Sequence, residues 1–132
     1  MNVAALAAAL IASWEGLRLT AYQDSGGVWT IGFGHTAGVK EGETINQSQA
    51  AMLLFADAAP LFSLVAQEPM VAAAAYVSFG YNCGRTPLEQ VLAGTAELGH
   101  FVHDRHGNVL DGLVQRRAAE LALIESVRPV TA

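Results

Sequence analysis

Cysteine is nearly absent: the chain of 132 residues carries a single one, Cys83. No internal disulfide can form, and such usage fits folding in a reducing compartment. Positive charge is scarce too. Lysine and arginine together number seven, scattered except for the adjacent Arg116 and Arg117, and the net charge is −5. That balance gives no support for nucleic acid as a partner, and none is expected. Charged residues make up only 14% of the chain against 52% hydrophobic, which argues against disorder. A long apolar span is also missing from the start of the chain. Residues 1–14 are uncharged and alanine-rich, but too short to cross a bilayer and without the basic start of a signal peptide. No membrane insertion is expected. No repeat, linker or low-complexity tail interrupts the chain, so residues 1–132 read as one domain, large enough to build its core unaided.

What is present reads mostly as helix. Asn2 can cap a first helix whose stripe is Val3, Leu6, Ala7, Leu10 and Trp14, with Glu15 at its flank one turn after Ile11. Thr44-Ile45-Asn46-Gln47 has the form of a capping box, and Met52, Phe55, Ala56 and Ala59 follow at helical spacing until Pro60 ends or kinks the helix. Glu68-Pro69 opens a further helix reaching Tyr81; a short one follows over 87–93, and a last runs from Leu110 to about Val127, closed by Arg128-Pro129.

The chemistry lies in residues 13–36. From Asp24 the chain must turn at Ser25-Gly26-Gly27 and return as an alternating segment, Val28 to His35, which reads as a β-hairpin. Alternation puts Thr30, Gly32 and Gly34 on one face, nearly bare around the threonine hydroxyl, and His35 on the other. The fold class is therefore α+β, mostly helical, with a hairpin lobe over about 16–43 and a helical lobe over about 44–127 plus the N-terminal helix. A cleft between hairpin and helices is expected. Two carboxylates beside a bare strip suit glycosidic cleavage, which needs an acid for the leaving oxygen and a second carboxylate across the bond. Glu15, beside Trp14 and Ile11, has the apolar setting that favours a protonated acid. Asp24 has a polar turn, and Thr30 can help it hold a water.

These stretches resemble the phage-type lysozymes of glycoside hydrolase family 24, the endolysins of lambdoid and T-even phages. The likeness rests on Glu15-Gly16-Leu17-Arg18-Leu19-Thr20-Ala21-Tyr22, on Thr30-Ile31-Gly32-Phe33-Gly34-His35-Thr36, and on the Glu-x8-Asp-x5-Thr spacing. Segments 78–84 and 112–120 agree in the same order. The resemblance implies a lysozyme-like fold and an inverting muramidase that needs no cofactor or metal. Glu15 would be the acid, with Asp24 and Thr30 positioning the water. The substrate would be the β-1,4 link between N-acetylmuramic acid and N-acetylglucosamine in peptidoglycan glycan strands. The protein would be a monomer, made in the bacterial host cytoplasm without a signal peptide and acting on the cell wall after release. Against the family the chain is short, and the deficit falls after Gly84, where the C-terminal lobe is expected to be reduced.

Further residues carry weaker signals. Arg117 falls among Leu110, Leu113, Val114, Leu121 and Ile124, and a cation on such a face needs a partner; the resemblance suggests Glu15, with another acid as the alternative partner and Arg116 as the alternative donor. Tyr81 and Asn82 would line the cleft by resemblance, and Gly32 would leave room for the sugar. His35 is expected to be structural, paired with Asp57. His100, His103 and His106 recur beside Asp104 but read as a solvated run rather than a metal cluster. Two other functions stay open: a lytic transglycosylase, which needs a single acid, and a catalytically silent wall-binding protein.

Overall fold

A computed structural model describes residues 2–128. Five α-helices and one two-stranded antiparallel sheet follow in the order α1 (Val3–Glu15), β1 (Arg18–Gln23), β2 (Trp29–Gly32), α2 (Gln47–Phe62), α3 (Met70–Cys83), α4 (Arg85–Leu92) and α5 (Asp111–Ser126). The expected α+β class, mostly helical with one small hairpin, is what the chain adopts. Backbone contacts divide it into two compact units, one of Ala8–Pro60 and one of Met1–Ala7 with Leu61–Ala132.

Helix α1, whose residues are divided between the two units after Ala7, begins as the sequence predicts, with Asn2 Oδ1 accepting the amide of Ala5 at 2.8 Å. Its deepest residues are Ala7 and Ile11, one turn apart, and Glu15 continues that line. Trp14, expected beside Glu15 on the buried stripe, is instead 37% exposed. The hairpin pairs Tyr22 with Thr30 and Gln23 with Trp29, with an irregularity in β1 before Tyr22. The alternation expected through His35 stops at Gly32. Gly32 and Gly34 take φ of +67° and +81°, values open to glycine at little cost, and the chain folds back so that Ile31 and His35 exchange both backbone hydrogen bonds at 2.9 Å. The other edge of β1 is covered by Glu43 and Ile45, which bond Ala21 and Leu19.

Helix α2 starts two residues later than the predicted box. Asn46 and Gln49 cap each other, Asn46 N–H to Gln49 Oε1 at 2.9 Å and Gln49 N–H to Asn46 Oδ1 at 2.8 Å. It runs through Pro60 to Phe62. Its buried row is Ala50, Leu54, Ala58 and Leu61, while the row predicted from the sequence, Met52, Phe55, Ala56 and Ala59, is exposed. The sequence reading placed residues from 44 onward with the helices, yet α2 as far as Pro60 groups with the hairpin. The attachment is visible: a Cβ on Gly32 would stand 3.5 Å from the Ala50 Cβ, and His35 reaches Asp57.

The second unit is built on α3, whose residues Ala72 to Ala75 and Val77 to Gly80 are buried and which packs against α4 and α5. Gly80 permits the α4 contact, since a Cβ there would lie 2.8 Å from Leu88 Cδ2. Between α4 and α5 a 3-10 turn, Leu98–His100, leads into a tight loop closed by an isolated bridge from His103 to Val109. Arg128 follows α5; Pro129, expected to close that helix, lies outside the described residues.

One turn occurs twice. Asp24 Oδ1 accepts the amides of Gly26 and Val28 at 2.8 and 2.9 Å, and Asp104 Oδ1 those of His106 and Asn108 at the same lengths. Each aspartate N–H also donates to the carbonyl four residues on, with a glycine at the fourth position of the loop at φ +80° or +83°.

Candidate active site

The hairpin brings two of the three expected active-site side chains to a common anchor. Val28 gives its N–H to Asp24 Oδ1, and its carbonyl accepts the Thr30 hydroxyl at 2.9 Å. Thr30 is 4% exposed and its proton is committed to that carbonyl, so the hydroxyl oxygen has only acceptor capacity left. Asp24 lies exposed at the turn, its Oδ1 held by two amides. Glu15, the third, sits half-buried at the end of α1 with its carboxylate against the glycine turn: a Cβ on Gly34 would stand 2.9 Å from Glu15 Oε1. The bare strip predicted around Thr30 is thus divided. Gly32 packs on α2, and Gly34 faces the carboxylate.

His35 holds the turn. Its Nδ1 lies 2.7 Å from Asp57 Oδ2, the partner expected from the sequence, and its Nε2 lies 2.9 Å from the carbonyl of Ala37. A carbonyl can only accept, so Nε2 carries a proton.

In the second unit the expected roles are redistributed. Arg117, 1% exposed, donates from Nε to Glu120 Oε1 at 2.7 Å and from Nη1 to Cys83 Sγ at 2.8 Å and the carbonyl of Phe101 at 3.4 Å. Its guanidinium also stacks 5.0 Å from the Phe79 ring centre. Arg117 is thereby committed within its own unit, where the sequence reading expected Glu15 as partner. Glu120 lies three residues along the same helix and is only 2% exposed, so it needs a cation where it is buried. It also accepts from Ser78 Oγ at 2.7 Å and Arg116 Nε at 3.2 Å. Ser78 and Glu120 fall at the ends of segments 78–84 and 112–120, and the sequence reading gave neither a role of its own. The Arg-Arg-x-x-Glu spacing was the available signal, since residues three and four apart share a helix face. The apolar stripe expected on α5 is likewise displaced, with Leu110 and Val114 exposed and the two arginines buried.

Tyr81 is half-buried near the end of α3, and Asn82 is exposed one residue on. Asn82 lines a cavity of about 390 Å³ with Cys83, Pro87, His100, Phe101, His103 and Leu113. Burial pushes the Cys83 thiol above its usual range despite the adjacent Arg117 guanidinium.

A family profile described as Phage lysozyme matches residues 12–120. The chain belongs to the phage lysozyme family. It is a glycoside hydrolase, a lysozyme that breaks peptidoglycan. It is similar to the endolysin of Acyrthosiphon pisum secondary endosymbiont phage 1, 33% identical over 145 residues that take in 96% of this chain and 99% of that protein. Among solved structures, the endolysin from Escherichia coli O157:H7 phage FAHEc1 is 29% identical, with a TM-score of 0.78 and 98% of each chain covered. The muramidase domain of SpmX from Asticaccaulis excentricus is 30% identical, with a TM-score of 0.73, 93% of this lysozyme and 95% of that chain covered.

Proposed function

We propose that this phage lysozyme is an endolysin of the glycoside hydrolase family 24 type. In this reading it hydrolyses the β-1,4 bond between N-acetylmuramic acid and N-acetylglucosamine with inversion at the anomeric carbon. Glu15 protonates the leaving glycosidic oxygen. Asp24 takes a proton from a water that attacks from the opposite face, and Thr30, its own proton held by Val28, accepts a hydrogen bond from that water. The observation that supports this best is the shared anchor at Val28, which ties Asp24 and Thr30 to one residue of a short hairpin while Glu15 lies against the next turn. Two fixed acceptors suit a water, whereas a covalent nucleophile would have no use for the second.

The remaining residues take supporting parts. Arg117 stiffens α5 through Glu120, Asn82 meets the glycan from its exposed position, and Tyr81 backs it. The protein acts as a monomer on the cell wall, without nucleic acid or membrane insertion.

Glu15→Gln keeps the shape of the side chain and removes the acid. Lysis of chloroform-treated Gram-negative cells is expected to fall by at least ~100-fold with the fold intact, because a general acid typically contributes that much. Near-normal lysis by the folded variant would remove Glu15 from its role. Fresh product from the wild type should be the α-anomer with a free reducing end. A β-anomer would make Asp24 a nucleophile, and an anhydro product would mean a transglycosylase.

A further inference from the structure

The turn after β2 is fastened from three directions. Ile31 and His35 exchange both backbone hydrogen bonds across it. Gly32 packs against α2 and the segment before it, where a Cβ would meet Ala50 Cβ at 3.5 Å and Ile45 Cδ1 at 3.4 Å. The His35 ring bridges Asp57 on α2 and the carbonyl of Ala37. At Gly34 the nearest atom to a Cβ would be Glu15 Oε1, at 2.9 Å. No ordinary carbon contact is that short, so a side chain at Gly34 must displace something. The movable partner is the carboxylate, the far end of a flexible side chain.

We infer that the turn Gly32-Phe33-Gly34, pinned to α2 through His35 and Asp57, is a positioning element for the Glu15 carboxylate. The inference rests on Glu15 being the acid. Gly34 sets where the carboxylate can lie, and the His35–Asp57 pair sets where Gly34 lies. A rigid stop of this kind suits proton donation, because an acid misplaced by about 1 Å can lose on the order of 100-fold in rate.

Gly34→Ala supplies the test and Gly38→Ala its control. Both positions have positive φ, +81° and +70°, so both substitutions carry the same backbone strain, but Gly38 faces open space. On soluble glycan strands, at a temperature where each variant is folded, Gly34→Ala is expected to lower kcat about 10- to 100-fold with KM within twofold. Gly38→Ala should leave both within twofold. Shortening the acid restores clearance, so adding Gly34→Ala to Glu15→Asp should cost little further. Equal kcat for Gly34→Ala and Gly38→Ala overturns the inference. Should Gly34→Ala not fold, Asp57→Asn decides: a fall in kcat at constant KM supports the pinning, and a lowered Tm with unchanged kcat overturns it. Failure of the acid assignment reads differently, as activity retained in Glu15→Gln.

Discussion

Glu120 is the residue on which the second unit's electrostatics turn. One carboxylate, 2% exposed, accepts from two buried guanidiniums and a serine hydroxyl. Two buried guanidiniums thus share this carboxylate, which offsets part of the cost of taking them out of water. Glu120→Gln keeps the shape and leaves both arginines without it. We expect a loss of about 3–5 kcal/mol, the usual cost of breaking a buried pair from one side. Urea unfolding measures it, and a loss below ~1 kcal/mol would mean that the arginines find other acceptors without penalty. At this scale the sequence was half legible. Glu15, Asp24 and Thr30 stand out as candidates through the motifs around them rather than through residue type and spacing alone, because those motifs encode local hairpin and helix geometry. Arg117's partner could not be chosen, because Glu15 and Glu120 are chemically alike and only burial separates them.

At the scale of elements the loop from His103 to Val109 offers a test of its own. The backbone N–H of Asn108 beside Asp104 holds its carboxyl below the usual carboxylate range, helped by the Asn108 side chain, the His106 N–H and the His103 charge. A folded pKa below the unfolded one makes the ionised group stabilising at pH values above the ordinary carboxylate pKa of about 3.9, and that stability fades as pH falls through the folded value. Asp104→Asn should therefore unfold more easily than wild type at neutral pH, and the two unfolding curves should converge in acid. A gap that persists in acid would mean that shape, not charge, closes the loop.

Element boundaries were legible where a cap marks them, as at Asn2, and less so where two caps compete. Thr44 and Asn46 both offer an oxygen three residues before a glutamine, and the Asn46–Gln49 pair forms. The buried side of α2 was not legible. Its two candidate rows are both uncharged and alanine-rich, so the 3.6-residue period could not choose between them. The close packing of Ala50 on Gly32 chose instead.

For the whole molecule, the net charge of −5 has a kinetic consequence. A bacterial wall is anionic, and like charges slow encounter until salt screens them. The Debye length falls from about 30 Å at 0.01 M to about 10 Å at 0.1 M, so lysis of wall fragments should speed up several-fold over that range. A rate that falls steadily with salt would reveal a basic binding face that the total charge conceals. The overall class and family were legible because the motifs run nearly the length of the chain and each encodes a local shape. Each unit also contains its own copy of the Asp-x-x-Gly-x turn, with matching hydrogen-bond lengths at Asp24 and Asp104. The copies share the aspartate and the glycine and differ at the second, third and last positions, Ser25, Gly26 and Val28 against Arg105, His106 and Asn108. Asn108 offers a further amide to Asp104 Oδ2 at 3.3 Å, whereas Val28 has none to give. The molecule thus carries an internal standard. A single NMR titration that follows both aspartates subtracts the shared backbone hydrogen bonds from the comparison, and what is left measures their different neighbours, among them Arg105, His106, Asn108 and the His103 charge on the Asp104 side.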